Sequence, residues 1–466
     1  MSSGVGVVWF RRDLRLADNP AWARATSDHE RVAAVFVLDE VPLAGAGPRR
    51  VGLLVSHLRA LHEDLVAAGG GLHLLRGRPA EEIPGFAAAV GASALHLNAD
   101  VGAYARRRDE SVRRRLDTVR FVSHWGNHVH PPGTVAASST GRVHRVFGPF
   151  HRAWRSTAPE PWPEPGGAEL LAPLDAPAWP SATLGADHPG TAMEPPGGGE
   201  RAAHRRLARW MDHVDDYPST RDRPDLPEGT SHLSGDLRFG TLAARHVLEV
   251  VGDATEGREA FTRQLAWRDW YAHLVAADPG FLSEPMDPRM DRVEWLDDEE
   301  GLEAWKRGMT GYPLVDAGMR QLAATGWMHN RVRMVTASFL VKDLLVDWRA
   351  GEAHFRRELL DYEPSQNVGN WQWVAGTGPD AAPYFRVLNP TTQARRFDPR
   401  GGYIRHWVPE LAELSDKGIH EPATVGPLEL AAAGVTLGAD YPEPIVEHGF
   451  ARGRAIEAYE RARGRG

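Results

Sequence analysis

Residues 5–122 alternate short apolar runs with amphipathic stretches, and this pattern indicates the fold of the N-terminal part. The apolar runs predict strands at Val5–Phe10, Val32–Leu38, Leu72–Leu75, Ala94–Asn98 and Val119–Val122. The amphipathic stretches predict helices at Val51–Ala67, Pro79–Val90 and Ala103–Leu116. Strands that alternate with helices are typical of a mostly parallel, doubly wound sheet. We therefore expect an α/β domain over residues 1–130.

The pattern changes twice further along the chain. Residues 159–200 contain ten prolines and seven glycines, so 131–200 is predicted to be an irregular interdomain connector. From residue 201 the apolar positions recur at helical spacing, which predicts an all-α domain over 201–466. The predicted helices are His204–Met211, Leu242–Val251, Phe261–Ala276, Gly301–Lys306, Leu314–Thr325 and 330–347.

Composition narrows the class of protein. A chain of 466 residues exceeds the size of a single core, which agrees with two domains. No apolar run could span a bilayer, and the N-terminus does not resemble a signal peptide, so a cytoplasmic protein is expected. We also expect a monomer. With no cysteine, disulfides, thiolate catalysis and Fe–S clusters are excluded, and we expect no metal site. The net charge of −8 restricts any nucleic-acid binding to a local basic patch.

Polar and aromatic groups concentrate between Trp327 and Trp373. The segment Trp-Met-His-Asn-Arg-Val-Arg-Met at 327–334 opens the predicted 330–347 helix, and Asp361-Tyr362-Glu363 follows it. Guanidiniums are rarely buried without partners, so we expect these carboxylates or a bound ligand to pair with the arginines. Nine of the 16 tryptophans lie in 267–407, where they form either an indole-rich core or an indole-based chemistry.

These motifs closely resemble the DNA photolyase/cryptochrome family, from Trp9-Phe10-Arg11-Arg12-Asp13-Leu14-Arg15 to Phe385-Arg386-Val387-Leu388-Asn389-Pro390. The 327–334 segment is most similar to class I photolyases, which repair cyclobutane pyrimidine dimers. The resemblance implies light-dependent repair of damaged DNA by electron transfer from excited, reduced FAD. The alternatives are a cryptochrome photosensor, a photolyase for six–four photoproducts, and a non-photochemical nucleotide-binding protein. The missing Gly-x-Gly-x-x-Gly fingerprint after the first strand disfavours the last of these.

The resemblance also implies an FAD site. Hydroxyls and backbone N–H groups at a helix entry suit a pyrophosphate, although the same residues would serve as an ordinary helix cap. The family commonly has Arg where this chain has His232, which offers fewer donors. Asn367 matches the residue that faces flavin N5, and Arg333 with Asp361 matches a salt bridge over the flavin. The implied FAD-binding residues are Tyr217, Thr230, Ser231, His232, Leu233, Ser234, Arg333, Asp361, Tyr362, Glu363 and Asn367.

Two further groups follow from the resemblance. Trp371, Trp348 and Trp295 match a chain of tryptophans that passes electrons to the flavin, whereas packing would explain each indole separately. The catalytic and lesion-binding positions correspond to Gln264, Trp267, Arg268, Asn330, Arg331, Met334, Trp373, Arg386 and Gln393, and Arg395 and Arg396 extend this basic patch or are ordinary surface arginines.

Gln264 departs from the pattern, since dimer-repair members usually carry Glu and six–four members carry Gln. Asn330 and Met334 favour dimer repair, because six–four members have histidine at both positions. The lesion would be a dimer flipped out of the duplex, as is known for photolyases.

A second, light-harvesting chromophore is implied for the N-terminal domain. The folate type has an Asn-Glu pair where this chain has Tyr104 and Ala105. Asn98-x-Asp100 and the following Tyr104-x-Arg106-x-Arg108-Asp109 are more similar to the deazaflavin type. We therefore expect 8-hydroxy-5-deazaflavin rather than methenyltetrahydrofolate. The alternative is that Arg106–Arg115 is a solvated basic helix face.

Overall fold

The N-terminal part of the chain forms a parallel sheet with the strand order β3-β2-β1-β4-β5, and β6 also pairs with β2. The computed structural model describes residues 2–136, 141–161, 164–180, 197–380 and 383–464. The strands are β1 (Ser2–Phe10), β2 (His29–Asp39), β3 (Leu72–Gly77), β4 (Ala92–Asn98), β5 (Arg120–His124) and β6 (Glu169–Leu170). Since β1 pairs with both β2 and β4, the strand order reverses between β1 and β4, and a crevice is expected at their carboxyl ends.

Helices cover both faces of this sheet, and its apolar strands are therefore buried on both sides. Two separate apolar clusters lie against it, one around Phe10 and Leu58 and one around Trp9 and Ile83. The helices are α1 (Pro20–Asp28), α2 (Glu40–Ala44), α3 (Pro48–Ala67), α4 (Pro79–Ala89) and α5 (Ala103–Arg113). Periodicity did not predict α1, which contains the buried Trp22 and is capped by Asn19. The predicted doubly wound α/β fold is confirmed.

From residue 200 the described chain is helical. The helices before residue 330 are α7 (Glu200–Trp210), α8 (Tyr217–Thr220), α9 (Ser234–Phe239), α10 (Ala244–Val251), α11 (Glu256–Ala277), α12 (Glu299–Arg307) and α13 (Pro313–Thr325). Those after it are α14 (Asn330–Ser338), α15 (Trp348–Glu358), α16 (Pro364–Ala375), α17 (Pro390–Phe397), α18 (Gly402–Trp407), α19 (Pro427–Ala432) and α20 (His448–Ala462). None of the helices in these described ranges has the length and apolarity needed to cross a bilayer.

The segment 131–200 is less irregular than the sequence suggests. It contains α6 (Phe147–Ser156) as well as β6, and Phe147, Phe150 and Trp154 of α6 are buried against the helical part. Residues 181–196, where much of the predicted connector falls, lie outside the described residues.

The predicted 330–347 helix is wrong in its second half. Regular α14 ends at Ser338, and Phe339–Asp343 continues as a π-helical turn. Leu345 then adopts a left-handed backbone (φ 56°), which ends the helical run before α15 begins at Trp348. Apolar periodicity identifies the buried face but does not distinguish an α-turn from a π-turn, since both keep Phe339 and Leu340 buried.

Candidate functional site

A cavity at the centre of the helical part collects side chains from α14, α15, α16 and the segment 361–363. We call it the Asp361 cavity; its lining comprises Asn330, Arg333, Met334, Ala337, Phe355, Leu359, Asp361, Tyr362, Glu363, Gln366, Asn367, Asn370, Trp371 and Val374. The lining combines apolar side chains such as Phe355 and Trp371 with polar ones such as Arg333 and Asp361. Such a surface suits a flat ring with polar edges.

Arg333 and Asp361 form the predicted salt bridge at the edge of this cavity. Arg333 Nη2 donates to Asp361 Oδ2 at 2.8 Å, and Arg333 Nε donates to the carbonyl of Met328 at 2.8 Å. Asp361 Oδ1 is buried and has no hydrogen-bond partner among the described residues. This carboxylate oxygen is therefore available to a donor group of a bound ligand or of water.

Glu352 fixes the orientation of Asn367. Asn367 Nδ2 donates to Glu352 Oε1 at 3.2 Å, and the Tyr362 hydroxyl donates to the same oxygen at 3.1 Å. Glu352 is only 6% exposed. Since the amide nitrogen is engaged by Glu352, the amide oxygen of Asn367 is left for the cavity.

Glu363 is held by the protein on both of its oxygens. Oε2 accepts from the backbone of Gln366 at 2.9 Å and so caps α16, while Arg12 Nη2 donates to Oε1 at 3.1 Å. Burial alone would raise the pKa of Glu363, but Arg12 and Ser365 outweigh it and leave the pKa below its ordinary value. The predicted contact between Glu363 and FAD stays a prediction.

A second cavity of about 360 Å³, which we call the Thr230 cavity, lies beside α9. Hydroxyls of Thr230, Ser231 and Ser234 line it together with Arg206 and Arg209. Trp327, three residues before Asn330 of the Asp361 cavity, also lines it. The segment 327–334 therefore connects the two cavities.

His232 occupies a strained position in the Thr230 cavity. Its backbone is left-handed (φ 53°), which is uncommon outside glycine. The ring packs against Trp327 in a tilted arrangement, 4.5 Å between centroids, and Nε2 lies 2.7 Å from the carbonyl oxygen of Pro227. The buried Tyr217 lies nearby in sequence but packs against Trp210 in the apolar cluster, and Leu233 is buried there too.

The three predicted chain tryptophans lie in or against one apolar cluster. Trp371 and Trp348 are each 2% exposed, whereas Trp295 is half-buried. Trp371 packs on Gly351, where a Cβ atom would overlap its ring. The indoles thus range from the wall of the Asp361 cavity to the protein surface.

The predicted lesion residues do not all line the cavity. Asn330 and Met334 do, and Asn330 Nδ2 lies 3.9 Å from Met334 Sδ. Gln264, Trp267 and Trp373 are half-buried and lie outside its lining. Trp267 stacks face to face on Phe147 at 3.7 Å, and Gln264 Nε2 donates to the carbonyl of Ala260 at 3.1 Å.

The predicted phosphate-binding arginines differ in what they contact. Arg386 is exposed, and Gln393 is half-buried. Arg331 is paired with Asp222 at 2.9 Å and lies over the Phe397 ring at 4.4 Å. Arg268 donates inward to the carbonyls of Asn127 and Leu237. Only Arg386 of these arginines is presented to solvent without such a constraint among the described contacts.

A third and larger cavity of about 670 Å³, the Asp39 cavity, lies at the carboxyl ends of β1, β2 and β4. This is the position expected from the strand order. Asp39 is the last residue of β2, Arg12 follows β1 and Asp100 follows β4; the apolar segment 36–38 also lines the cavity. Tyr104 donates to Asp39 Oδ2 at 2.6 Å.

Buried arginines give the Asp39 cavity unsatisfied donors. Arg11 Nε and Arg238 Nη1 are buried and have no acceptor in the described part of the chain. Burial, together with the nearby charge of Arg12, lowers the pKa of Arg238 to about 9. Asn98, in contrast, is engaged by Asp13 and Asn19 and serves the fold. These donors suit a ligand with acceptor or anionic groups.

The α/β part and the helical part of the chain meet at the Asp39 cavity. Residues 6–166 match the model of the DNA photolyase family, and residues 261–461 match that of the FAD-binding domain of DNA photolyase. The chain belongs to the DNA photolyase family. This confirms the family and enzyme class that the motifs predict.

Full-length relatives support the assignment. A deoxyribodipyrimidine photo-lyase of Streptomyces griseus is 42% identical over 99% of both chains, and one of Halobacterium salinarum is 40% identical over 98% of this chain and 99% of its own. The crystal structure of a class III photolyase from Agrobacterium tumefaciens is 36% identical, with a TM-score of 0.91 over 100% of this chain and 98% of the other.

Two other solved structures bear on the alternatives. A cryptochrome of Synechocystis is 29% identical, with a TM-score of 0.89 over 98% of this chain and 100% of the other. An archaeal photolyase from Sulfolobus tokodaii, described with two FAD molecules, is 31% identical. Its TM-score is 0.83 over 98% of this chain and 100% of the other.

The residues present fit FAD. The Asp361 cavity offers apolar walls, the Arg333–Asp361 pair and an unsatisfied carboxylate oxygen to a flavin ring. The Thr230 cavity offers the hydroxyls of Thr230, Ser231 and Ser234 and the Arg209 guanidinium to a diphosphate, whereas Arg206 is paired with Asp236. The sequence did not point to Glu352 or Arg238, because a lone Glu or Arg on an amphipathic helix is typical of a solvated face.

Proposed function

We propose that this protein repairs cyclobutane pyrimidine dimers in DNA, using light and FAD. The observation that carries the proposal is that Asn330 and Met334 line the same cavity as Asp361 and Asn367. The first two positions distinguish dimer-repair from six–four members by resemblance, and the other two match flavin-facing positions. Lesion and flavin would therefore share one cavity.

When bound and reduced, FAD supplies the photoexcited electron that splits the cyclobutane ring. The chain would hold it in place: the Arg333–Asp361 pair would bind one polar edge, and Glu352 would keep the Asn367 oxygen free to contact it. Trp371 and Phe355 exclude water from the apolar side, which strengthens these polar contacts.

Asn330 and Met334 are suited to a flipped dimer. An amide both donates to and accepts from the imide and carbonyl edges of pyrimidines, and a thioether adapts to an apolar surface. Gln264 and the indoles Trp267 and Trp373 would complete the contact at the rim, because bases stack on aromatic faces. The exposed Arg386 would bind a flanking phosphate.

The tryptophans would restore reduced flavin. An oxidised indole is better stabilised where water reaches it, and exposure rises from Trp371 and Trp348 to Trp295. Electrons would therefore move from Trp295 through Trp348 and Trp371 to the Asp361 cavity. Trp371→Phe is expected to block light-driven reduction of oxidised flavin, while repair by dithionite-reduced protein survives.

The Asp39 cavity would hold the second chromophore, which we assign as 8-hydroxy-5-deazaflavin. Its volume, the apolar segment 36–38 and two unsatisfied guanidinium donors support a planar ring with acceptor groups. Adding deazaflavin, methenyltetrahydrofolate or a second FAD to protein that contains one FAD tests this. Absorption and energy transfer to FAD are expected with deazaflavin; a second bound FAD would instead place this chain with the Sulfolobus protein.

Assaying the purified protein on both lesions under blue light tests the main proposal. Repair of cyclobutane dimers and none of six–four photoproducts is expected. Gln264→Glu should retain or improve repair, and Gln264→Ala should lower it, since an unpaired pyrimidine edge costs about 1–3 kcal/mol. Six–four repair alone would contradict the proposal.

A cryptochrome-type photosensor is the second candidate, because the Synechocystis structure has the same fold. The same assay separates the two. Photoreduction of the flavin without repair of either lesion would favour the photosensor.

A further inference from the structure

The proposed DNA contact is short of free positive charge. The chain carries a net charge of −8, so binding to a phosphate backbone requires a local basic patch. Of the three arginines predicted to hold phosphates beside the lesion, Arg268 donates inward and Arg331 is paired with Asp222. Arg386 is the exposed member of the three. One guanidinium is few for such a patch, so further cations are expected close to the lesion residues.

The segment that leads into α6 lies along α11 beside Trp267. Trp270 Nε1 donates to the carbonyl of His144 at 2.7 Å. Phe147 stacks on Trp267 with ring centroids 3.7 Å apart and ring planes 10° apart. Arg145 stands between these two anchored residues, and its side chain is exposed. Arg145 therefore lies at the surface close to the half-buried Trp267.

Two more exposed arginines lie around the same pair of rings. Arg263 is one helical turn before Trp267 on α11, and its guanidinium carbon is 5.5 Å from the centroid of the Phe147 ring. Arg152 of α6 reaches back along its helix: its Nη1 lies 3.8 Å from the position that a Cβ atom on Gly148 would take. Both guanidiniums thus lie near the start of α6.

We call Arg145, Arg152 and Arg263 the α6 surface. Within the described part of the chain, none of the three side chains forms an ion pair or a hydrogen bond. Glu259, one turn before Arg263 on α11, is engaged by Arg155 instead. Three neighbouring cations without a counter-ion, on a protein that is acidic as a whole, form a local positive field suited to an anionic partner.

The α6 surface adjoins the loop that carries Arg386. Asp380 Oδ2 accepts a hydrogen bond from the backbone N–H of Phe147 at 3.2 Å, so the start of α6 is fastened to the residue from which this loop departs. Arg386 follows Asp380 by six residues, which span roughly 20 Å at most. That distance corresponds to about six nucleotides along a duplex. The α6 surface and Arg386 can therefore contact one stretch of DNA.

Building on the proposed function, we propose that the α6 surface binds the phosphate backbone of the DNA beside the lesion. A guanidinium offers planar, paired N–H donors that match two oxygens of a phosphate. These contacts position the duplex and do not read its bases, because the backbone is the same at every step. The helix α6, which the sequence pattern places in an irregular connector, is then part of the DNA-binding face.

The salt dependence of DNA binding tests this proposal. Flavin-loaded protein is titrated against a labelled duplex with a central cyclobutane dimer, and fluorescence anisotropy gives the Kd at several salt concentrations. Arg145→Gln, Arg152→Gln and Arg263→Gln should each lower the slope of log K against log salt by roughly one, and the triple variant by about three. The triple lysine variant keeps the charges and should keep the wild-type slope. Arg107→Gln is the matched control, because Arg107 is exposed on α5 of the α/β part; its slope should not change.

An unchanged slope in the triple glutamine variant, with flavin content and thermal unfolding as in wild type, would overturn the proposal. If that variant loses flavin or stability, the single variants decide, and three unchanged slopes overturn it likewise. An undamaged duplex separates the proposal from dimer repair, since phosphate contacts do not need a lesion and its slope should fall equally. Equal affinity of wild type for both duplexes, with lowered slopes in the variants, would contradict dimer repair and uphold the α6 surface. Absence of DNA binding by wild type would overturn both.

Discussion

Glu352 shows how a residue with no sequence signal organises the site. It follows Gly351 in an amphipathic helix, where the pattern indicates a solvated carboxylate. In the structure it is buried and accepts hydrogen bonds from both Asn367 and Tyr362. Motifs identified Asn367 because the family resemblance pointed to it. The group that orients it becomes visible only when α15 packs against α16.

Removing the Glu352 carboxylate should loosen the flavin. Glu352→Ala frees the Asn367 amide to rotate, and we expect FAD affinity to fall by about 1–3 kcal/mol. Glu352→Gln keeps one acceptor oxygen and should lose less. Fluorescence titration of FAD measures the affinity, and Tyr362→Phe is the control that removes the other donor. If wild type and the three variants bound FAD with equal affinity, the hydrogen bond from Asn367 to Glu352 would not contribute to FAD binding.

Arg331 is a second residue whose role, in DNA binding or in the fold, could not be decided from the sequence. In the structure it pairs with Asp222 and lies over the Phe397 ring. Arg331→Ala should weaken lesion binding by about 1–3 kcal/mol and lower the salt slope by roughly one, if it contacts a phosphate. Asp222→Asn is the matched variant: it releases the same arginine and should strengthen binding. A salt slope unchanged in both variants would assign Arg331 to the fold.

At the scale of elements, α15 and α16 are fitted to each other through a glycine. Trp371 of α16 and Leu340 of the π-turn both occupy the space that a side chain at Gly351 would need. The helices themselves follow from apolar spacing. Their close approach does not, since a single glycine in a helical pattern is usually only a weak point.

Gly351→Ala should therefore displace Trp371. We expect a loss of about 1–3 kcal/mol in the free energy of unfolding, from overpacking, and slower flavin photoreduction. Gly453→Ala is the control, because Gly453 lies in α20 and a Cβ there meets nothing within 4 Å. It should be neutral or stabilising by about 0.5–1 kcal/mol. Thermal unfolding of the two variants provides the comparison, and equal stabilities would contradict the overpacking.

At the scale of the whole molecule, the two halves are joined through Arg12. It donates to Asp100 at 2.8 Å within the α/β part and to Glu363 at 3.1 Å in the helical part. Alternating strands and helices predicted the sheet, and helical spacing predicted the second part. The Asp39 cavity could not be predicted in this way, because it depends on the strand order and on docking of the two parts.

Arg12→Gln should leave two buried carboxylates without their cation and cost about 3–5 kcal/mol of stability. Burial alone would raise the pKa of Asp100, but Arg12 outweighs it and holds the pKa well below its ordinary value. A carboxylate with a lowered pKa stabilises the fold above its unfolded pKa of about 4 and loses that contribution as the pH falls. Wild type should therefore lose stability below about pH 4, and Arg12→Gln should show a shallower decline. Chemical unfolding at several pH values measures both effects, and parallel curves would contradict this role.

Tyr362 and Glu363 line both the Asp361 cavity and the Asp39 cavity, so one short segment is the partition between the proposed flavin site and the proposed antenna site. Glu363 accepts hydrogen bonds from Arg12 and from the first turn of α16. The partition therefore needs no second chromophore to hold its shape. A recombinant host that makes FAD but no antenna pigment should therefore still produce a competent enzyme. The colour of the purified protein would then report the pigments of the organism that made it and not the quality of its repair site.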